Sequence, residues 1–128
     1  MSGTLGSILS INNGKQMKRV EEGVNLLYNG GKKTYRTNDK SNLEPDKSYI
    51  VIHKQNGLVS WIQKGQNVCV GNNAFYLENK DLTQPSLLKY LYFVFVSMPQ
   101  IITQHLHGSV QPTLRKSDIS NIGIRPVS

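Results

Sequence analysis

The segment from residue 29 to residue 38 concentrates side chains that can bind a nucleic-acid backbone. It runs Asn-Gly-Gly-Lys-Lys-Thr-Tyr-Arg-Thr-Asn. The cations can neutralise phosphates, while the amide and hydroxyl groups can donate to and accept from base edges. Two consecutive glycines also allow the backbone to come close to a ligand. The segment therefore predicts a set of DNA contacts: Asn29, Lys32, Lys33, Tyr35, Arg36, Thr37 and Asn38.

A second basic run lies at residues 15–19, directly after the turn signal Asn12-Asn13-Gly14. We predict that it is exposed and that Lys15, Lys18 and Arg19 contact DNA. The two basic segments bracket a predicted strand at residues 26–28, so their cations should form one face. The alternative for such a run is a solvated loop that binds nothing.

A third candidate group surrounds Gln111. The residue before a proline is pushed out of the helical region, so Gln111, which precedes Pro112, should be extended. A glutamine amide can donate and accept in one plane, which matches the major-groove edge of adenine. His107 and Ser109 flank it and could reach phosphates. The alternative is that Gln111 ties its loop to neighbouring backbone.

Catalytic chemistry is not favoured by any spacing in the chain. His105 and His107 are two residues apart, unlike the i, i+4 pair of a helical metal site, and no acidic residue lies nearby. A metal site built from His53, His105, His107 and Cys69 is therefore not favoured, and Cys69 lies in an apolar run typical of a buried small hydrophobe. The eight carboxylates show no nuclease-like cluster, and no glycine-rich cofactor loop is present. We predict that the chain by itself is not an enzyme and holds no metal or cofactor.

Composition indicates one domain, over residues 1–128, with an anionic partner. A chain of 128 residues can bury a substantial core, and its formal net charge is +7. That charge favours nucleic acid first and an acidic membrane second. One cysteine excludes an internal disulfide framework, and the chain does not start like a secretory signal. We expect a cytoplasmic protein, or one located wherever DNA is handled, that is not secreted and has no membrane partner.

Apolar patterns predict the elements that position these side chains. Leu5, Ile8, Leu9 and Ile11 should enter a core from a short turn and strand. Strands are predicted at residues 25–28, 49–53, 58–62, 68–70 and 74–77, with a hairpin turn at Asn56-Gly57.

One long helix is predicted at residues 85–98, because Pro85 suits a first turn and apolar residues follow at helical spacing. The stripe that should pack on the sheet comprises Leu87, Leu88, Leu91, Val94, Phe95 and Met98. A second short helix at residues 101–105 should end at Gly108. We predict an α+β fold: a single compact domain with a twisted, mostly antiparallel or mixed sheet and one or two short helices beside the long one.

The chain closes with a polar loop, a short helical turn capped by Ser117-Asp118, and a strand in which Ile122, Ile124 and Pro126 alternate. In this order, the segment resembles the end of the target recognition domain in specificity subunits of type I restriction–modification systems. In that family a Gly-Ser-x-Gln-Pro-like loop leads through a short helix into such a strand.

Further motifs extend the resemblance from about Leu5 to Pro126. A Tyr-x-Gly-Gly-like turn with a following Gly-Tyr-Thr-like stretch is matched by Tyr28, Gly30, Gly31, Tyr35 and Thr37. A Gly-Lys-like loop is matched at residues 14–15, an Asn-Ala-like strand start at residues 73–74, and a Leu-Tyr-Tyr-like helix at residues 91–93.

The resemblance implies that the chain binds duplex DNA sequence-specifically, as one of two such domains that each recognise half of a bipartite site. It also implies partners: a modification methyltransferase subunit, docked by long spacer helices, and a further copy in a homo-oligomer. The sequence has no heptads for such helices, so methyltransferase docking stays open. The alternative function is a structural or assembly protein that uses this fold to bind protein, or nucleic acid without sequence preference.

Overall fold

The computed structural model describes residues 3–29, 34–108 and 112–124. In these ranges the strands are β1 Gly3–Thr4, β2 Leu9–Asn13, β3 Asn25–Tyr28, β4 Tyr35–Thr37, β5 Tyr49–His53, β6 Val59–Ile62, β7 Val68–Val70, β8 Ala74–Asn79 and β9 Gly123–Ile124. The helices are α1 Leu5–Ile8, α2 Pro85–Ser97, α3 Gln100–Thr103 and α4 Lys116–Ser120. None of the helices in these ranges is long and apolar enough to cross a membrane.

The central element is an antiparallel sheet of four strands in the order β2-β8-β5-β6. All five residues of β5 are buried, which means that both faces of the sheet are covered. Successive side chains of a strand point to opposite faces. Ile50 and Ile52 therefore join the core on one face, whereas Tyr49 and Val51 join the core on the other.

Helices cover the face of the central sheet that carries Ile50 and Ile52. Leu88, Leu91 and Phe95 of α2 are buried there, and Ile102 of α3 and Ile119 of α4 join the same core. The predicted long helix and its packing on the sheet are confirmed.

The prediction that Met98 packs on the sheet as the last residue of the apolar stripe was wrong. Helix α2 ends at Ser97, and Met98 follows as the C-cap residue with a non-helical backbone. The helical spacing that would carry Met98 inward stops there, and its side chain is 45% exposed.

The second face of the central sheet packs against a smaller, three-stranded sheet in the order β4-β3-β7. Strands β3 and β7 run parallel, with Leu27 opposite Cys69, while β3 and β4 are antiparallel, with Leu27 opposite Tyr35. Strands β1 and β9 form a separate antiparallel pair, with Gly3 opposite Ile124. The α+β class is thus confirmed, but the strands form three sheets where the sequence predicted one.

The short helix before β9 is not capped by Ser117, contrary to the prediction from the sequence. Arg115 is the N-cap residue of α4, and its backbone N–H donates to the Asp118 carboxylate over 2.8 Å. Asp118, at the third helical position, thus satisfies a donor at the helix start, as acidic residues there commonly do. Ser117 lies inside the helix and does not cap it.

Candidate nucleic-acid interface

Several strand ends meet at one end of the domain, which we call the loop end. It comprises residues 13–15, 28–29, 53–54 and 70–73, where β2, β3, β5 and β7 end and β8 begins. Backbone hydrogen bonds fix this arrangement: the Lys15 N–H donates to the Val70 carbonyl over 3.0 Å, and the Gly71 N–H donates to the Tyr28 carbonyl over 2.7 Å. The exposed Lys15 is therefore held beside the end of the β3–β7 pair.

Asn29 locks two segments of the loop end together. Its Oδ1 accepts the backbone N–H of Asn73 over 3.1 Å. Its side chain also lies so close to Gly71 that a Cβ at that position would overlap it. Asn29, predicted as a DNA contact, therefore also has a structural role. The next predicted contacts, Lys32 and Lys33, lie outside the described residues.

Arg19 and Tyr35 bring the two basic segments into contact. The Arg19 guanidinium carbon lies 3.6 Å from the centroid of the Tyr35 ring, a cation–π arrangement. Next to this pair, the Val20 N–H donates to the Arg36 carbonyl over 2.9 Å. Two segments separated by β3 in the sequence therefore share one surface.

Two further cations on this surface, Lys18 and Arg36, are each anchored by one hydrogen bond. Lys18 is exposed, and its backbone N–H donates to the Asp39 carboxylate over 3.0 Å. Arg36 is also exposed, and one guanidinium N–H donates to the Gly23 carbonyl over 3.3 Å. The ammonium group of Lys18 and the remaining N–H groups of Arg36 can face an anion.

Two predicted contact residues serve their own loop instead. Thr37 is 0% exposed, and its hydroxyl accepts the Asp39 N–H over 3.1 Å. A buried hydroxyl cannot reach DNA in this structure, so Thr37 does not belong to the contact set. Asn38 is exposed, but its Oδ1 accepts the Val24 N–H over 3.2 Å, which leaves its amide N–H groups for a ligand.

The segment around His107 is attached to the loop end through its backbone. His107 and Thr113 exchange two backbone hydrogen bonds of 2.9 and 2.8 Å, and Gly108 has a positive φ of 101°. The Leu114 N–H then donates to the Lys54 carbonyl over 2.8 Å. Ser109 and Gln111, both predicted to contact DNA, lie outside the described residues.

His107 is engaged by an acidic neighbour. Its Nε2 lies 3.0 Å from Oδ1 of Asp118, so a proton on that nitrogen is donated to the carboxylate. Burial opposes ionisation of Asp118, but the hydrogen bonds from His107 and from the Arg115 backbone outweigh it, and the pKa of Asp118 falls below its usual value. His107 can therefore keep this contact and still reach a phosphate through its other ring nitrogen, Nδ1.

Two of the remaining candidates for metal or nucleophilic chemistry, His53 and Cys69, are buried, whereas His105 is half-buried. His53 packs edge-on against the Tyr28 ring, and burial lowers its pKa. Cys69 is fully buried, and its burial, followed by the charge of Asp39, raises the pKa of the thiol. Across the part of the chain that the structure describes, no three His, Cys, Asp or Glu residues are grouped as metal ligands would be.

A family model described as the type I restriction modification DNA specificity domain matches residues 1–126 of the chain. The chain belongs to this family. Among solved structures, the specificity domain is similar to the S subunit of a type I restriction–modification system from M. genitalium, with a TM-score of 0.80 and 22% sequence identity. The alignment covers 96% of this chain and 33% of that subunit, so the chain spans about a third of its length. A comparison with curated proteins finds no match.

The resemblance predicted from the sequence is therefore confirmed. Several of its motif residues lie in defined elements of this specificity domain, while Gly30, Gly31 and Pro126 lie outside the described residues. Tyr28 ends β3 at the loop end, and residues 73–74 lead into β8. Leu91 and Tyr92 lie in α2, where Leu91 is buried and Tyr92 packs against the core.

Lys54 is the residue at the loop end that the sequence did not single out. Its ammonium group donates to the Asn72 carbonyl over 2.8 Å and to Asn13 Oδ1 over 3.2 Å. In the sequence, Lys54 is a single lysine between a predicted buried strand and a predicted hairpin turn. That position indicates the end of a strand and does not indicate a ligand contact. The contacts depend on strands that are distant in the chain.

Proposed function

We propose that this specificity domain binds duplex DNA and recognises its sequence through the loop end and the adjoining basic surface. The observation that carries the proposal is the Arg19–Tyr35 stack, which joins two cationic segments into one surface. Exposed Lys15, Lys18 and Arg36 lie on the same two segments, and the net charge of +7 favours a polyanionic partner.

In this proposal the cations provide affinity and the polar loop residues provide specificity. Lys15, Lys18, Arg19 and Arg36, together with Lys32 and Lys33, contact phosphates and fix the register of the domain on the duplex. Amide groups, from Asn29, Asn38 and Gln111, contact base edges.

The wider assembly is part of the same proposal. As a single recognition domain over residues 1–128, the chain delivers sequence specificity and performs no catalysis itself. The chemistry then belongs to a modification methyltransferase subunit, and a second copy of the chain supplies the other half of a bipartite site. Family membership supports this division of labour.

One observation favours the alternative of a structural or assembly protein. Helix α2 presents Tyr90, Phe93 and Val96 to solvent, each with about half of its surface exposed. Exposed apolar side chains grouped on one helix are typical of protein-binding surfaces. In this alternative the domain binds a protein through α2 and contacts nucleic acid without sequence preference.

Binding to a mixed-sequence duplex over a series of salt concentrations tests whether the basic surface contacts phosphates. Each lost phosphate contact should flatten the slope of log affinity against log salt by about 0.9. We expect this from Lys15→Ala, Lys32→Ala and Lys33→Ala. Lys64→Ala is the matched control, because Lys64 lies in the turn before β7, at the opposite end of that strand from Val70. Salt-independent binding by the unaltered protein, or equal slopes for all variants, would contradict the proposal.

A further inference from the structure

Lys54 connects three parts of the loop end through its backbone and side chain. Its N–H donates to the Asn73 carbonyl over 2.9 Å, and its carbonyl accepts the Leu114 N–H over 2.8 Å. Its ammonium group bonds the Asn72 carbonyl and Asn13 Oδ1. The end of β2, the turn before β8 and the segment that pairs at His107 and Thr113 are therefore all held by this one residue.

The described contacts of the Lys54 ammonium group are all with neutral groups. It lies 4.6 Å from the centroid of the Phe75 ring, and its two hydrogen-bond acceptors are an amide and a carbonyl oxygen. Among the described residues no carboxylate forms an ion pair with it, unlike Lys47, which pairs with Glu44 and Glu78. Two of its three N–H groups are used, and no described residue accepts the third.

Burial makes this charge costly. Lys54 is half-buried, and desolvation lowers its pKa from the ordinary value. A partly desolvated cation without an anionic neighbour gains more from an anion than a fully hydrated surface lysine does, because water screens the latter. The position of Lys54 also continues the cationic surface, since Lys15 is held at the same strand ends by its bond to the Val70 carbonyl.

We infer that Lys54 anchors a phosphate of the bound duplex at the loop end and positions the paired residues His107 and Thr113 relative to that phosphate. The inference rests on the proposed function and adds a residue to it. Because the same side chain holds Asn13 and Asn72, the anchored phosphate fixes the strand ends that carry the neighbouring loops. Lys54 is thus a positioning residue as well as a contact.

The test compares Lys54→Met with Lys80→Met in binding to a mixed-sequence duplex across a salt series. Methionine keeps the apolar stem beside Phe75 and removes the charge. Lys80 is the matched control: its ammonium group also donates to a backbone carbonyl, that of Gly6, over 2.7 Å, but it lies beyond the opposite end of β8. Lys54→Met should weaken binding and flatten the salt slope by about 0.9, while Lys80→Met and the charge-preserving Lys54→Arg should keep the slope.

Two outcomes separate this inference from the proposed function. If the unaltered protein binds with a steep salt slope and Lys54→Met keeps that slope, the inference is overturned and the proposed function stands. If the unaltered protein shows no salt-dependent binding, both are overturned. A purely structural role would lower the melting temperature of Lys54→Met without changing the slope.

A measurement on the unaltered protein covers the case in which Lys54→Met does not fold. Reductive methylation of lysines, followed by mass spectrometry, reports which amines the duplex covers. The duplex should slow methylation of Lys54 and leave the rate at Lys80 unchanged. Equal rates at Lys54 with and without bound duplex would overturn the inference.

Discussion

The guanidinium of Arg19 lies over the ring of Tyr35, with its central carbon 3.6 Å from the ring centroid, and this contact joins the two basic segments. If the stack orients Arg19 for a phosphate, Arg19→Ala should flatten the salt slope by about 0.9 because a charge is lost. Tyr35→Ala should weaken binding but keep the slope, because Arg19 stays charged and loses only its orientation. Tyr35→Phe keeps the ring and is the control. Duplex titrations at several salt concentrations distinguish these variants, and a flattened slope for Tyr35→Ala would contradict the assigned roles.

Leu91 and Phe93 lie two residues apart on α2 but face different surroundings: Leu91 is 5% exposed and Phe93 is 55% exposed. Leu91→Ala should lower the free energy of unfolding by roughly 2–5 kcal/mol, as truncations in a packed core do. Phe93→Ala should cost far less, because removal of its exposed ring leaves little cavity. Denaturant titration measures both. Equal costs would contradict the orientation of α2, in which Leu91 faces the core and Phe93 faces solvent.

Elements with a clear pattern could be predicted from the sequence. The strand Tyr49–His53 and the helix starting at Pro85 lie where the β-branched run and the proline placed them. The sequence could not divide the strands into sheets. The four residues at positions 49–52 of β5 are all large and apolar. Their pattern therefore does not show that helices cover one face of the strand and a second sheet covers the other.

The candidate site was harder to predict, because its geometry depends on contacts between distant segments. The sequence predicts Thr37 as a DNA contact, because a three-residue strand shows too little alternation to reveal that its last side chain is buried. Lys54 was missed for a related reason: Asn13 and Asn72, which hold its ammonium group, are separated from it in sequence by 41 and 18 residues. The exposure of Lys15, Lys18 and Arg19 could be predicted, because a run of charged residues after a turn signal is seldom buried.

Asp118 predicts how stability responds to acid. Its pKa is lower in the folded protein than the ordinary carboxyl value near 3.9, so its stabilising contribution is complete above that value and is lost as the pH falls through the folded pKa. Asp118→Asn should therefore be less stable than the unaltered protein at neutral pH, by about 0.5–1.5 kcal/mol for a weakened hydrogen bond. The difference should shrink below about pH 4.

Thermal unfolding across this pH range measures the effect. Asp46→Asn, at an exposed position in a turn, is the control. A stability difference that does not shrink as the pH falls below about 4 would contradict the role assigned to the Asp118 carboxylate.

Gln111 belongs to a loop whose described base is the His107–Thr113 pair. If Gln111 contacts a base, Gln111→Ala should weaken binding to the cognate site by about 1–3 kcal/mol and leave non-specific binding and melting temperature unchanged. If it braces the loop, the melting temperature should fall and both kinds of binding should weaken together. A variant that keeps stability, cognate affinity and discrimination would contradict both hypotheses.

Selection of bound sites from a pool of random duplexes, at moderate salt and with the purified chain, tests the central claim most directly. Specific protein–DNA complexes are typically on the order of 10³ or more tighter than non-specific ones, which is ample for enrichment. The account predicts that one short, continuous motif is enriched, corresponding to half of a bipartite site. Salt-dependent recovery of duplexes with no shared motif would contradict sequence recognition and leave the non-specific binder as the function.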